Sequence, residues 1–496
     1  MITQLHIPEQ AANWLRAHVK GDLTTDSRMV KTGDGFIAWP GAAVDARQHV
    51  GDAIKAGAGA CLIEMSGSQA YGFVDAKIAT YANLKVAAAP IAAAYYGQPS
   101  KQLQTIAITG TNGKTSTAWW LAQALGKRHR KCGVVGTLGI GMPDAMIFNG
   151  LTTPDPVLLQ QQLRRFVDEG FAACAIEASS IGIAEHRLDA TQLQVAIFTN
   201  FTQDHLDYHG SMQAYWTAKE SLFTWPGLQA AVINVDDAKG QSLSLMLKTS
   251  GLDVWTVAIN EPARLQAQVI EQQAGALSFI VVEGIERQSV TTSAMGLYNV
   301  SNLLGVLGAL RALGLPLEEA ARACSDLLPV PGRLNTLSQP GKPLVVIDYA
   351  HTPDAIEKVL LALRPVVQAR GGQLWCVFGC GGGRDTTKRP LMAAIAQKNA
   401  DQIVVTSDNP RSENPAAIIR QILLGLTPSE SVRVQIDRGQ AIAEALASAK
   451  DNDIVLLAGK GHENYQEVLG IRYAFDDLQH AWAALELRQP GMGVPS

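Results

Sequence analysis

Cysteine is scarce in this chain, and only Cys376 and Cys380 stand within a few residues of each other. Cys61, Cys132, Cys174, Cys324, Cys376 and Cys380 are scattered through 496 residues without a C-x-x-C pair. That scatter excludes a disulfide framework and argues against thiolate metal ligands, Cys376 and Cys380 included. With no signal-peptide pattern, it predicts reduced, buried thiols in a cytoplasmic protein. Long apolar runs are missing too: the most alanine-rich stretch, Val86 to Tyr96, is interrupted by Pro90 and is too short to span a bilayer. Nor is there an excess of one charge, the formal net being −4 with 17% charged residues, so no broad nucleic-acid surface is expected. A hydrophobic fraction of 47% excludes disorder, and no repeat recurs at a solenoid period. The length suits about three domains of ordinary size, each with its own core, acting on small molecules.

The informative stretch is Thr105 to Thr117, TIAITGTNGKTST. A β-branched run, Thr105 to Thr109, reads as a buried strand; it breaks at Gly110-Thr111-Asn112-Gly113, and Lys114-Thr115 open a helical segment, Ser116 to Leu125. Strand, glycine turn and helix in that order make a phosphate cradle. The turn's N–H groups and the helix N-terminus face the anion, Lys114 reaches the β/γ-phosphates, and the Thr115 hydroxyl can ligate Mg²⁺. The strict G-x-x-x-x-G-K-[ST] pattern would place glycine at Ile108.

The fold class is α/β with three domains. Residues 1–98 read as a small α/β module with strands Gly35–Trp39 and Ala60–Glu64, closed by an alanine-rich helix and the linker Gly97-Gln98-Pro99-Ser100. Residues 99–333 alternate strands (Gly133–Thr137, Cys174–Glu177, Val195–Asn200, Ala231–Val235) with helices (Pro156–Glu169, Met212–Leu222), which predicts a P-loop ATPase-like, mainly parallel sheet. After the Pro329–Gly332 break, residues 334–496 repeat the alternation as a Rossmann-like domain. Its strands are Leu344–Ile347, Trp375–Phe378, Gln402–Thr406, Arg433–Ile436 and Ile454–Leu457; its helices are Pro353–Val367, Arg389–Asn399, Pro415–Leu424 and Gln440–Ala449. Each strand empties into a polar or glycine-rich loop, among them Asp348–His351, Gly379–Asp385, Asp408–Arg411, Asp437-Arg438 and Gly459–Glu463. The glycines of Gly379 to Arg384 have the wrong spacing for a dinucleotide fingerprint. In the central segment, Glu177 and His205 follow successive strands and could hold Mg²⁺ beside the phosphates. Taken singly, Glu177 reads as a solvent-facing charge and His205 as a satisfied packing residue.

Assembled, the motifs TGTNGKTS, NFTQDHLDYHG, GLYNVSN, PGRLNTL, DYAHTPDA, KRPLM, DNPRSENP and GKGHENYQ resemble, in order and over nearly the whole chain, the Mur ligases. These are ATP-dependent amino-acid-adding enzymes of peptidoglycan synthesis. DNPR with GKGHE points to the branch adding the third residue, meso-diaminopimelate, to UDP-N-acetylmuramoyl-L-alanyl-D-glutamate.

The resemblance implies that Gly110, Thr111, Asn112, Gly113, Lys114, Thr115 and Ser116 bind ATP, with Asn299, Arg333, Asp348 and His351 around the nucleotide. It implies that Thr115, Glu177, His205 and Lys219 organise Mg²⁺, Lys219 through a carbamate. On the bare sequence Lys219 is a helix-surface cation. For the UDP-muramoyl substrate it implicates Thr25, Ser27, Ala42, Ala43, Val44, Thr152, Thr153, Ser179, Glu185 and Arg187. The chain departs from common family residues at Leu151, Ile181 and Glu185. For diaminopimelate it implicates Arg389, Asp408, Asn409, Pro410, Arg411, Gly459 and Glu463. Arg411 suits the role physically, because a planar guanidinium pairs bidentately with the second carboxylate that lysine lacks.

The implied enzyme is a cytoplasmic monomer that inserts into no membrane and binds no nucleic acid. Its partners are ATP and the two small substrates. Three alternatives stay open: the same ligase with L-lysine as acceptor, a P-loop NTPase of other function, and a folylpolyglutamate-type ligase.

Overall fold

The computed structural model describes residues 2–488 apart from 42–43, 274–275 and 326. Three helix-covered sheets follow one another along the chain. The first has five short parallel strands in the order Thr3–Leu5, Ile78–Tyr81, Ala60–Glu64, Gly35–Ala38, Leu23–Thr24. Gly35–Ala38 and Ala60–Glu64 are buried at every position, which is why both read as unbroken apolar runs and not as alternating ones. The helix Leu84–Tyr95 packs on both Pro8–His18 and Pro156–Asp168, fastening this sheet to the next.

Eleven strands form the central sheet. Seven neighbours are parallel: Leu265–Gln273, Asp253–Ala258, Ala230–Asn234, Val195–Phe198, Gln104–Thr109, Ala173–Glu177 and Cys132–Gly136. Antiparallel strands extend both edges, Ala276–Glu283 and Glu286–Thr292 on one side, Gly139–Met142 and Ala145–Ile147 on the other. The expected parallel sheet is therefore its centre. The edge hairpins went unpredicted because no helix separates their strands.

Along Gln104–Thr109, Ile106 and Ile108 enter the core beneath the helices Lys114–Lys127 and Leu297–Ala312, while Ala107 faces Pro156–Asp168 and Met212–Glu220. Each fully buried Ile or Leu there contributes roughly 1.5–3 kcal/mol over its exposed state. Ile108 is thus a core residue of a strand running two residues further than the strict phosphate-loop pattern allows, and the turn starts only at Gly110.

The third sheet runs Asn335–Leu337, Leu344–Asp348, Ile454–Ala458, Leu374–Phe378, Gln402–Val405, Val432–Val434, parallel except for its first member. Pro353–Arg370, Lys388–Asn399 and Pro415–Leu423 cover one face, Arg438–Ser448 and Asp477–Leu487 the other, the expected doubly wound arrangement. Local chemistry sets the first helix: the Thr352 side chain accepts from the Ala355 N–H, Pro353 fills the first position, and left-handed Gly371 (φ 66°) ends it. A small hairpin, Tyr465–Val468 with Ile471–Ala474, follows the last strand. All six cysteines are buried and unpaired.

Candidate active site

The C-terminal ends of the parallel strands in the central and third sheets face one cavity of about 980 Å³. Its floor is the phosphate loop. Gly113 has φ 87°, and a Cβ there would sit 2.3 Å from Asn302 Oδ1; one on Gly110 (φ 143°) would sit 1.9 Å from Thr199 Oγ1. Only glycine fits either place. The helix begins at Lys114, where Lys114-Thr115 were expected to open it, and no side chain caps it, so its first N–H groups are left for an anion. Lys114 Nζ curls back to donate to Gly110 O and Thr111 O at 2.9 Å each, and burial holds its pKa below that of an ordinary lysine.

Glu177, 1% exposed, stands at the end of the adjacent strand. Its Oε2 accepts from Thr115 Oγ1 at 3.0 Å and Thr137 Oγ1 at 3.1 Å, and its Oε1 from the Thr137 N–H at 2.9 Å. It is no surface charge. Arg333 Nη2 donates to Thr115 Oγ1 at 3.2 Å; its guanidinium lies 4.7 Å from the centre of the Tyr349 ring, and its Nε is buried without a partner. Ser116 lines the cavity beside this group, as do Asp348, whose carboxyl is pushed up by burial, and His351.

Lys219 overturns its bare-sequence reading as a surface cation. It is 1% exposed, donates to Gly110 O at 2.7 Å and lies 4.5 Å from the centre of the Tyr215 ring. Desolvation, then the charge of Lys114, push its pKa well below the lysine range, which favours the neutral amine.

His205, in a left-handed conformation (φ 54°), belongs to a cluster that joins the two lobes. Asp204, 5% exposed, has one oxygen 3.3 Å from Lys388 Nζ; its other lies 3.4 Å from His205 Nε2 and 4.0 Å from His351 Nε2. Burial opposes its charge, but Lys388 and the two histidines outweigh burial and hold the Asp204 carboxyl well below the usual carboxylate range. Burial likewise depresses His205 to about 3 and His351 to about 4. Gln203 Nε2 also reaches Asp385 and Thr387, and Asn112 Nδ2 reaches Asp354 Oδ2 at 2.8 Å, so several bonds close the third lobe onto the phosphate loop. Asp204 and Lys388 were not singled out, although both stand in quoted motifs, NFTQDHLDYHG and KRPLM.

The remaining predicted residues divide. Thr152, Thr153, Ser179 and Arg187 line the cavity: Thr153 Oγ1 is 2.9 Å from Ser179 Oγ, and Arg187 Nη1 donates to Thr153 O at 2.9 Å. Leu151 and Ile181 line it as well. Glu185 does not; it pairs with Lys85 at 2.7 Å and accepts from Tyr208, tying the first sheet's helix to the central lobe. Thr25, Ser27 and Val44 lie in the first lobe away from the lining, and Ala42 and Ala43 are outside the described residues.

Asn299 stands behind the cavity wall. It accepts from Asn302 Nδ2 at 3.0 Å, and Asn302, together with Leu297, Tyr298 and Ser301, forms the surface. Asp408, Asn409, Arg411, Gly459 and Glu463 line the far side, but Pro410 and Arg389 do not. Asn409 Nδ2 donates to Glu463 Oε2 at 2.8 Å, and the buried Lys460 donates to Asn409 Oδ1 at 3.1 Å. Burial, with Asp408 alongside, raises the Glu463 carboxyl. Arg411 has φ 50°, held by main-chain bonds from its N–H to Glu467 O at 2.9 Å and from the Leu469 N–H to its carbonyl at 2.7 Å. Lys114 and Arg411 therefore open onto a common space.

Residues 108–310 match the Mur ligase middle domain and residues 332–461 the Mur ligase glutamate ligase domain. A protein of Acidovorax sp. (strain JS42) named UDP-N-acetylmuramoyl-L-alanyl-D-glutamate--2,6-diaminopimelate ligase is 56% identical over 97% of this chain and 97% of its own. The chain belongs to the Mur ligase family. Among solved Mur ligases, a structure bearing the same ligase name is 33% identical, with 94% of each chain covered and a TM-score of 0.63. MurF ligase from Thermotoga maritima in complex with ADP, 17% identical over 96% of this chain and 98% of that one, shares the Mur ligase fold at a TM-score of 0.68. As a member of this family the chain is an ATP-dependent, ADP-forming amide ligase.

Proposed function

We propose that this Mur ligase joins meso-2,6-diaminopimelate to UDP-N-acetylmuramoyl-L-alanyl-D-glutamate in peptidoglycan precursor synthesis, driven by ATP. The observation that carries the reading is the single cavity bearing a phosphate cradle at Lys114 and a left-handed arginine, Arg411, opposite it. In this reading residues 1–98 bind the UDP-muramoyl end, 99–333 bind ATP, and 334–496 present the amino acid.

A carboxylate is a poor electrophile, so the D-glutamyl γ-carboxylate first takes the γ-phosphoryl group of ATP. The diaminopimelate amine then attacks the acyl phosphate, and the tetrahedral intermediate expels phosphate to leave the amide. Lys114 and the loop N–H groups hold the transferring phosphoryl and balance its charge. Arg333 covers the nucleotide from the linker, while Thr152, Thr153, Ser179 and Arg187 hold the carboxylate-bearing substrate. The bonds that shut the third lobe keep water from the acyl phosphate. Arg411 pairs with the distal carboxylate, and Asp408 and Glu463 accept from ammonium groups.

The Thr115 and Glu177 oxygens, 3.0 Å apart, fit Mg²⁺. A Mg²⁺ ion held there would take most of its remaining ligands from phosphate and water. His205 and a Lys219 carbamate would complete the set, the carbamate forming when the neutral amine adds CO₂ and loses a proton. Bound there, Mg²⁺ would neutralise phosphate charge.

This reading takes a monomer as the working unit. The nucleotide-linked substrates of this reading fit a cytoplasmic site of action; among the described residues no helix is long and apolar enough to cross a membrane. The test is phosphate release with each substrate omitted in turn. Turnover is expected only when ATP, the UDP-muramoyl dipeptide and diaminopimelate are all present; hydrolysis indifferent to the dipeptide, or equal use of L-lysine, would overturn the reading.

A further inference from the structure

Lys460, in the loop after the strand Ile454–Ala458, is fully buried and forms no part of the cavity surface. The mechanism above gives it no task. Its Nζ donates to Asn409 Oδ1 at 3.1 Å and lies 3.4 Å from Glu463 Oε2, and it stands 5.7 and 5.9 Å from the centres of the Tyr465 and Phe475 rings. An ammonium shut away from water is destabilising unless anions or dipoles answer it. Here both oxygens that answer it belong to residues lining the amino-acid side of the cavity.

Those contacts set the local geometry. Asn409 Oδ1 takes Lys460 Nζ and the Glu467 N–H, the latter at 3.0 Å, which turns Asn409 Nδ2 toward Glu463 Oε2 at 2.8 Å. Asp408 stands against the same loop: a Cβ on Gly459 (φ 115°) would fall 2.4 Å from Asp408 Oδ2. Two carboxylates brought together oppose each other's charge. Burial and Asp408 raise the Glu463 carboxyl, and Lys460 works against both. The other titratable groups that face Glu463 cannot replace it. Tyr349 and Tyr465 are both raised, which keeps them neutral, and the buried Arg438 is forked onto Asp477 at 2.7 Å through each of two nitrogens. Arg411 is reserved, in the reading above, for the substrate's carboxylate. One buried cation for two carboxylates leaves a single negative charge, the complement of one ammonium group.

We infer that Lys460 is a positioning residue for the amino-acid substrate: from beneath the pocket it orients Asn409 and supplies the cation that lets Asp408 and Glu463 stand side by side as carboxylates to receive one ammonium group. This rests on the reading of Asp408 and Glu463 as acceptors from ammonium groups.

The experiment is steady-state kinetics of the full chain with Lys460→Met, a neutral side chain of similar length, from about pH 6.5 to 8.5. Near neutral pH, KM for diaminopimelate should rise roughly tenfold, the scale of one lost charge-assisted interaction. It should fall again as pH rises, because Glu463 then gives up the proton that the missing cation lets it keep. In the wild type the same KM should stay within about twofold across the range, and KM for ATP and for the UDP-muramoyl dipeptide should stay within about twofold in both enzymes. If Lys460→Met does not fold, the double variant Lys460→Met/Glu463→Gln, which removes the cation and one anion together, is compared with Glu463→Gln. Their KM values for diaminopimelate should agree within about twofold, and a further loss of roughly tenfold in the double variant would overturn the inference. An unchanged KM, equal shifts in all three KM values, or a raised KM with the flat pH profile of the wild type would overturn this inference alone. A Glu463→Gln enzyme with the wild-type KM for diaminopimelate would overturn the underlying reading, and this inference with it.

Discussion

The phosphate rim and the amino-acid loops sit across one cavity but are built in opposite ways. On the phosphate side, one continuous stretch, Gly110 to Ser116, supplies the turn, the helix N-terminus and the cation of the proposed ATP site. On the amino-acid side, Arg411 is held by groups from elsewhere in the chain, the Gly382 carbonyl and the main chain at Glu467 and Leu469. A site made of backbone is announced by a short motif. A site whose selector is held by distant supports is tunable, since altering a support re-aims the selector without touching the chemistry.

Mutations that separate the two sides test this contrast. The largest effect is expected at Lys219, where Lys219→Ala should lower kcat by about 10²–10³-fold, the scale of losing one electrostatic stabiliser, with KM for diaminopimelate little changed. Added short carboxylates should restore part of the rate in a phosphate-release assay, and wild-type turnover would remove the carbamate from the account. Next, Arg411→Ala should raise KM for diaminopimelate roughly 10–100-fold while KM for ATP moves less than about twofold, as for one lost bond to a charged group. Equal changes in both would erase the division between the sides. A smaller effect, about fivefold on KM for ATP alone, is expected for Asn302→Ala, since Asn302 and not Asn299 faces the cavity.

The smallest effect concerns stability and pH. Burial depresses His351 and His462 from 6.5 to about 4 in the folded chain. Above pH 6.5 both are neutral whether folded or unfolded and contribute nothing. As pH falls from 6.5 toward 4 the unfolded chain takes up protons that the folded chain refuses, so stability should decline across that window. Thermal melts should show a drop in melting temperature there that is reduced in His462→Gln, a change on the amino-acid side only.

Much of this was legible in the residues. The strand Ala60–Glu64 falls where its apolar run places it, and Gln104–Thr109 differs from the reading by one residue, because fully buried strands declare themselves by composition. The motif order carried the family. Lys219 could not be read, because whether a helical lysine points at solvent or at Gly110 O depends on a loop more than a hundred residues earlier in the chain. Asn299 and Asn302 lie three positions apart on one helix face, and only the packing of Leu297–Ala312 decides which is in front. Arg389, implied as a substrate contact, is buried against Glu413 and off the cavity lining, a placement that an arginine in a motif does not announce in sequence. The antiparallel edges of the central sheet were missed because they are hairpins without intervening helices, outside the strand-helix rhythm that identified the rest.

The six buried cysteines have a practical consequence. Burial raises Cys61, Cys132, Cys324, Cys376 and Cys380 to about 12 and Cys174 well above the ordinary thiol value, so maleimides should find almost no thiolate in the folded chain. One cysteine introduced on the exposed tip at Ile285 and another at the exposed Leu469 would then take up a fluorescent dye pair on an otherwise unaltered background. Energy transfer between the dyes would follow the third lobe through each turnover without a cysteine-free variant being made first.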